Sequence, residues 1–342
     1  MTADFSWGRC ITALLEGRDM SEADAAAAMT EIMDGAATPA QIAGFVVALR
    51  SKGETVDEIT GLVRIMRAYA APIEIAGPLL DTCGTGGDRA GTFNVSTAAA
   101  LVCAGAGVKV AKHGNRAASS RSGSADVLEA LGVKIDLPPA GVETCIAEAG
   151  IGFCFAPVFH PAMRHAGAPR RELGIATVFN FLGPLTNPAG ATFQALGVSD
   201  ETMMPKMVGT LGRTGSTRVI AFHGHGGLDE LALSGPSQVL ELDHGTTRRW
   251  TVDPSELGLA EAPLAAVAGG SSDENAAIIR EVFAGSQGPR RDIVLLNAAA
   301  GLLAAGRAED MKTALAKASD AVDSGAAAAT LERLIAASNE KA

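Results

Sequence analysis

Three stretches of this 342-residue chain gather side chains and backbone able to do chemistry. The first, DTCGTGGDRAGTFNVST at 81–97, carries Gly84, Gly86, Gly87 and Gly91, then Asn94, Ser96 and Thr97 ahead of an Ala-rich run. The second, KHGNRAASSRSGSAD at 112–126, mixes Lys112, Arg116 and Arg121 with Ser119, Ser120, Ser122 and Ser124. The third, FHGHGGLDEL, ends in the adjacent carboxylates of Asp229 and Glu230. Bare amides and hydroxyls at the start of a helix suit an anion, because orphan donors and the positive end of the dipole face it together. Adjacent carboxylates suit Mg²⁺, which takes few protein oxygens and shares the rest with phosphate and water. An amide cradle, a cationic loop and a Mg²⁺ pair describe one site for a substrate with several phosphates and no need of a protein nucleophile.

Each stretch alone has a plainer reading. A glycine cluster can be a tight turn, a basic loop can be solvated, and most Asp–Glu pairs lie in water. Two specific readings of the glycines fail. A dinucleotide turn needs a third glycine where Arg89 stands, and an acidic residue about 20 positions on. A phosphate loop of the Gly-Lys-Ser/Thr type lacks its lysine. His223 and His225 have no further Cys or His at zinc spacing. Cys83 reads as a small filler, and Ser124 as a helix cap.

The elements that must position these residues change character along the chain. The first seventy residues read as helices. Ser21 with Asp24, Thr38 with Gln41 and Thr55 with Glu58 are start signals. Pro39 fits a first helical position, and Gly35 and Gly53 fit stops. After residue 72, short apolar runs alternate with helix-length segments: VKVA, IGFCFAP, FQALGV and STRVIAFHG. That alternation predicts an α/β domain with a mostly parallel central sheet. Asp229 and Glu230 then fall just beyond a strand, where open α/β sheets bind ligands. The expected division is a small all-helical N-terminal domain, 1–72, joined by helices from about 160–190, and an α/β domain, 73–342. The tail from Asn275 reads as further helices, with IVLLNAAAGLLAAG buried.

Composition bounds the rest. A net charge of −10 argues against general binding to nucleic acid or anionic membranes, so any phosphate site is local. Hydrophobic residues make up 47% and aromatics only 4%, so the core is aliphatic and Ala-rich. No window is long and apolar enough to span a bilayer, and MTADFSWGRC has no secretory pattern. Cys10, Cys83, Cys103, Cys145 and Cys154 show no paired spacing, which suits a reducing, cytoplasmic setting.

Taken in order, GTGGD at 84–88, NVST at 94–97, KHGNRAASSRSGSAD at 112–126, RREL at 170–173, NFLGPLTNPA at 180–189 and GLDE at 227–230 resemble the anthranilate phosphoribosyltransferase family over nearly the whole chain. GTGGD is shared with pyrimidine nucleoside phosphorylases of the same fold; the HGNR…SGSAD loop is the specific part. Gly226 stands where the family usually has Asp, and Arg121 where Lys is frequent.

The resemblance implies transfer of the 5-phosphoribosyl group of 5-phosphoribosyl 1-diphosphate (PRPP) to anthranilate, in tryptophan synthesis. It implies an active site at the hinge of the two domains and a homodimer through the helical domain. By position it implies PRPP contacts at Gly84, Gly87, Asp88, Thr92, Asn94, Val95, Ser96, Thr97, Lys112, His113, Gly114, Asn115, Arg116, Ser119, Ser120 and Ser124. Anthranilate contacts fall at Gly84, Asn115 and Arg170, and Mg²⁺ ligands at Ser96, Asp229 and Glu230. No covalent nucleophile is implied, and His113 reads as shaping its loop rather than as acid or base. The alternatives are a pyrimidine nucleoside phosphorylase, against which the KHGNR loop argues, and a non-catalytic nucleic-acid-binding relative, against which the charge and the intact LDE argue.

Overall fold

The computed structural model describes residues 5–117 and 121–340. Four helices open the chain: α1 (Trp7–Leu15), α2 (Glu22–Met33), α3 (Pro39–Lys52) and α4 (Val56–Ala68). Thr38 with Gln41 and Thr55 with Glu58 form reciprocal capping boxes, as their spacing predicts. Ser21 Oγ accepts from Asp24 N at 3.1 Å, but Asp24, one methylene short of Glu, takes the Ser21 hydroxyl at 2.7 Å instead of reaching back to its amide.

Seven strands follow: β1 (Leu80–Gly84), β2 (Val110–Gly114), β3 (Ile151–Phe155), β4 (Phe193–Gly197), β5 (Arg218–His223), β6 (Ser237–Asp243) and β7 (Thr246–Val252). They form one sheet in the order β3-β2-β1-β4-β5-β6-β7. The first five are parallel, and β6 and β7 add an antiparallel hairpin at one edge. The intervening and following helices are α5 (Val95–Gly105), α6 (Ser124–Ala130), α7 (Pro139–Ala149), α8 (Ala156–Phe159), α9 (Arg164–Leu173), α10 (Phe179–Leu182), α11 (Met204–Arg213), α12 (Ser272–Phe283), α13 (Pro289–Ala304), α14 (Met311–Asp323) and α15 (Ala326–Asn339). Helix α13 is the anticipated buried helix.

One face of the sheet packs on α5, α7 and α13, with α14 and α15 outside them. The other face packs on α11, and its core continues into the helical bundle: Phe45 and Leu62 share a cluster with Val178, Leu182, Leu196 and Val219. Helix α9 returns to lie on α2 and α3. Strands β2 to β5 arise from the four predicted apolar runs. Strand β1 does not: residues 81–84 read as loop because Asp81 and Thr82 interrupt the apolar pattern, yet they form the sheet's middle strand with both polar groups bonded internally. The β6–β7 hairpin was also unanticipated. Its turn is His244-Gly245, both at positive φ (45° and 84°), a primed turn without the usual Asn or Asp.

Candidate active site

The chain leaves β1 for β2 on one side and returns to β4 on the other, so the carboxyl ends of β1 and β4 form the topological switch point of the sheet. The final residues of the two strands there, Gly84 and Gly197, are register partners. Both lack a side chain because residue 229 lies on top of them. A Cβ on Gly84 would come 2.3 Å from Asp229 Oδ2, and one on Gly197 would come 1.7 Å from the Asp229 carbonyl oxygen. The turn after β5, closed by the Gly224–Leu228 bridge, feeds the segment back over the strand ends. The predicted carboxylate pair and the predicted glycine loop thus meet.

The glycine loop is held by side chains rather than by a ladder. Gly86, Gly87, Arg89 and Gly91 all have positive φ, so no regular pairing is available. Ser199, just past β4, fills that role: its amide donates to Thr85 Oγ1 at 3.1 Å, and its hydroxyl donates to the Gly86 carbonyl at 2.8 Å. Gly86 N donates to Asp229 Oδ2 at 2.6 Å. Asp88 accepts from Ala90 N at 3.1 Å and, at a long 3.5 Å, from Asp229 N.

The start of α5 differs from the open N-terminus expected from the sequence. Val95 N donates to Phe93 O and Thr97 N to Asn94 O. Ser96 N donates to Glu230 Oε1 at 3.0 Å. A carboxylate from another element therefore supplies the cap. The Asn94 amide is committed: its oxygen accepts from Ser122 Oγ (3.2 Å) and Asn275 Nδ2 (2.9 Å), and its nitrogen donates to Ser122 O (3.1 Å). Val95 and Thr97 are buried, and the Thr97 hydroxyl has no partner among the described residues. Thr92 bridges to Ala268.

Electrostatics here follow from burial. Asp229 is pushed up to about 7, first by burial and then by the charge of Asp88. Glu230 is driven well above the carboxylate range by burial and by Asp229. Lys112, in the middle of β2 and 2% exposed, donates to the Thr82 carbonyl. Burial lowers its pKa, while Asp81, Cys83 and Glu230 oppose the shift. Asp81, fully buried, is raised by burial against the pull of Lys112; it accepts from Asn187 Nδ2 at 2.8 Å and His113 N at 3.1 Å. Among the described residues no three His, Cys, Asp or Glu side chains form a closed metal cage. Two close carboxylates forced up in pKa, all donors being hard oxygens, fit Mg²⁺, which keeps most of its shell for water and phosphate.

In the second stretch, Ser119 and Ser120 lie outside the described residues. His113 donates through Nδ1 to Gly183 O at 3.1 Å, which leaves Nε2 bare and buried without a partner among the described residues. Its ring lies 5.1 Å from that of His160, and burial followed by His160's charge lowers its pKa to about 3. Gly114 allows Ser124 Oγ to come within 2.2 Å of where a Cβ would sit. Ser124 is the first residue of α6 and not its cap; its hydroxyl donates to Asn115 O at 3.3 Å. Asp126 does the capping, accepting from Gly123 N and Ala117 N at 2.9 Å each. Arg116 pairs with Asp126 and Glu129 and lies over the Phe155 ring. The Asn115 side chain is exposed, and its Oδ1 accepts from Arg116 N.

Arg170, on α9, lies over the Phe179 ring at 5.4 Å with no carboxylate partner among the described residues, and burial lowers its pKa. Sequence reasoning missed the supports behind these groups. Three successive carbonyls of the turn Gly183–Leu185 are each bound by a different element: Gly183 O by His113, Pro184 O by Gln194 Nε2 at 2.6 Å, and Leu185 O by Arg67 Nε at 2.9 Å. Asn187 also donates to Ala111 O at 2.8 Å. The available signal was Asp81 in an apolar run, since a buried carboxylate demands partners.

Residues 76–328 match the α/β domain of a glycosyl transferase family, and residues 9–70 match that family's helical bundle domain. The anthranilate phosphoribosyltransferase of Moorella thermoacetica is 56% identical over 327 residues, covering 95% of this chain and 96% of that protein. That of an Arthrobacter species is 56% identical over 337 residues, covering 97% and 96%. The crystal structure of the Thermus thermophilus enzyme superposes with a TM-score of 0.91 at 46% identity, over 96% of this chain and 99% of the other. The Saccharomyces cerevisiae enzyme in complex with PRPP and Mg superposes with a TM-score of 0.89 at 28% identity, over 98% of each. With both domains matched and identity above one half along almost the full length, this chain belongs to the anthranilate phosphoribosyltransferase family.

Proposed function

We infer that this chain transfers the 5-phosphoribosyl group of PRPP to the amine of anthranilate, giving N-(5-phosphoribosyl)anthranilate and diphosphate, a step of tryptophan biosynthesis. The observation that carries the reading is the seating of Asp229 on Gly84 and Gly197, which joins a donor loop and a carboxylate pair at one switch point.

Breaking the bond from C1 to diphosphate builds positive charge on the ribose and negative charge on the leaving group, as in glycoside cleavage. The chain's task is to meet the leaving charge with preorganised donors. The amides of Gly87 and Asp88, which have no acceptor among the described residues, and the Lys112 ammonium supply them. The hydroxyls of Thr92, Ser96, Thr97, Ser119, Ser120 and Ser124 and the loop from His113 to Arg116 complete the PRPP set. Ser96, Asp229 and Glu230 would hold Mg²⁺, which would neutralise charge on the diphosphate. Asp88 would accept from the ribose hydroxyls or from a water of the metal's shell.

Arg170 offers anthranilate's carboxylate a planar bidentate fork, and with the Phe179 ring beneath it and no carboxylate partner among the described residues it is available for that role. Asn115 and Gly84 complete that subsite. The aromatic amine is already a nucleophile, and anthranilate's own carboxylate takes its proton. His113, lowered to about 3, gives and takes no proton at neutral pH, which supports a loop-shaping role. Holding both substrates in line supplies several kcal/mol, within the ~7–11 of ideal orientation.

The domain limits proposed are 1–72 with 160–190, and the rest. The exposed Leu15 and Val47 of the bundle support a homodimer through that face, and five buried free thiols support a cytoplasmic setting. No helix among the described residues is long and apolar enough to cross a membrane. The test is anthranilate fluorescence, which falls on addition of protein, PRPP and Mg²⁺. No fall, with release of thymine from thymidine and phosphate, overturns the reading in favour of a phosphorylase.

A further inference from the structure

Asn94 stands at the N-cap of α5, where asparagine is favoured because its side-chain oxygen takes an orphan amide of the first turn. Here it takes none. Its carboxamide is drawn off the helix to two distant partners. Asn275 Nδ2 donates to Asn94 Oδ1 at 2.9 Å, and Ser122 Oγ donates to the same oxygen at 3.2 Å. Asn275 lies in the first turn of α12, 181 residues along the chain, and is 2% exposed. Chemistry sets its orientation. Gly270 N, which can only donate, stands 2.8 Å from Asn275 Oδ1, so Asn275 must turn its NH₂ group to Asn94. At the other end Ser122 O, which can only accept, lies 3.1 Å from Asn94 Nδ2. Both ends impose the same direction on one chain of bonds, from Gly270 through Asn275 and Asn94 to Ser122. Gly269 keeps the elements close: a Cβ there would meet Phe93 Cα and N at 2.6 Å and Asn275 Oδ1 at 2.8 Å.

We propose that Asn275, working with Ser122, is a positioning residue for PRPP: it fixes the Asn94 carboxamide so that its NH₂ group, and not its oxygen, is presented to the ligand. The proposal rests on the reading of Asn94 as a PRPP contact. Asn94 Nδ2 carries two hydrogens, and one goes to Ser122 O. The other has no acceptor among the described residues and can donate to a phosphate oxygen. A carboxamide without fixed partners can rotate by 180°, and the rotated form aims a lone pair at the anion. The chain of bonds forbids that rotation. It would set the Asn94 NH₂ against the Asn275 NH₂ and the Asn94 oxygen against the Ser122 carbonyl. Bonds aligned in one direction also polarise one another, which strengthens the donor at the ligand end. Asn275 itself touches no substrate in this reading; it acts through Asn94.

The experiment is calorimetric titration of PRPP with Mg²⁺ into the full chain. It compares the wild type with Asn94→Ala, Asn275→Ala, Ser122→Ala, and the two double variants that join Asn94→Ala to each of the others. Asn94→Ala removes a hydrogen bond to a charged group and should weaken PRPP binding roughly tenfold or more. Asn275→Ala and Ser122→Ala should each weaken it roughly threefold to tenfold, the weight one neutral hydrogen bond gives to an orientation. In the Asn94→Ala background neither should weaken it further, although Asn275→Ala still lowers the thermal midpoint by baring Gly270 N. A merely structural role would lower the midpoint too, but with the same fold-loss of affinity in both backgrounds, and that result would overturn the proposal. In steady-state rates the KM for PRPP should carry the effect, with the KM for anthranilate at saturating PRPP unchanged. Should Asn275→Ala fail to fold, Ser122→Ala loosens the same oxygen from a loop, and its cycle with Asn94→Ala decides. Wild-type affinity in Asn94→Ala would overturn the contact and this inference while leaving the transferase reading intact. No binding of PRPP by the wild type would overturn that reading, and this inference with it.

Discussion

Gly197→Ala tests the seating on which the site depends. The added Cβ would stand 1.7 Å from Asp229 O and 2.5 Å from Asp229 C, both backbone atoms with no rotamer to change. Ordinary contact begins at 3.4 Å, so the carbonyl must withdraw by about 1.7 Å. A shift of that size takes Asp229 Oδ2 out of reach of Gly86 N, now at 2.6 Å, and drags Glu230 from Ser96. Misplacement of about 1 Å costs about 10²-fold in rate, so kcat/KM should fall at least 10²-fold, about 2.7 kcal/mol. The strain itself should cost about 1–3 kcal/mol of stability, because Gly197 ends its strand and the core beneath need not move. Initial rates from anthranilate fluorescence, with PRPP and Mg²⁺ varied, read the first quantity; a denaturation midpoint reads the second. Gly209→Ala on α11 is the control, since its Cβ meets only Val56 methyls at 3.3 Å and should leave the rate unchanged. Wild-type kcat/KM in Gly197→Ala would refute the argument that the paired glycines seat the carboxylates.

Arg170→Ala should raise the KM for anthranilate at least tenfold with little change in PRPP affinity, and equal loss of both would remove its assignment. Gly86→Val should weaken PRPP binding through the backbone, because φ is +68° and no atom lies within 4 Å of the new Cβ; the cost of φ is about 1–2 kcal/mol, and unchanged affinity would make the loop a plain turn. His113, lowered to about 3 from 6.5, is neutral when folded and protonates first when unfolded, so its stability contribution is full above pH 6.5 and is lost as pH falls from 6.5 toward 3. Wild type should therefore lose up to about 1.4 kcal/mol more than His113→Asn for each pH unit in that window, read as the difference in urea midpoints; parallel pH profiles would contradict the burial argument.

The parts of this molecule that announce themselves in sequence are those with local causes. Thr38, Thr55 and Pro39 mark helices through caps that need only their neighbours, and β2 to β5 follow from apolar runs long enough to cross a sheet. The three chemical stretches were legible because Gly, Ser and adjacent carboxylates have few other reasons to cluster in an acidic chain. What escaped depends on distant partners. Asp81 hid β1, because whether a carboxylate can sit in a strand is decided by Asn187 and Lys112, far along the chain. The closure of the α5 N-terminus escaped because its cap, Glu230, is 134 residues away. The turn Gly183–Leu185 looked like a Pro/Gly loop, and its use as an anchor for Arg67, His113 and Gln194 lies in three carbonyls that have no sequence signature.

The carboxylates beside the cradle are what an irregular loop requires. Gly86, Gly87, Arg89 and Gly91 are all left-handed, and Arg89, with a Cβ, costs about 1–2 kcal/mol at φ 56°. Such a loop makes no ladder, so its shape must come from side chains. Asp88 turns the loop on itself through Ala90 N, Asp229 fixes Gly86 N, and Ser199 ties the Gly86 carbonyl to the end of β4. Asp88 also receives the Asp229 amide, so the loop and the segment over it are fastened at both ends by carboxylates. Lysines in the same places would offer donors where the loop already has a surplus of them. Acidic residues are thus the complement of an amide-rich loop, and the charge they concentrate is what makes a divalent cation a fitting companion to any phosphate that enters.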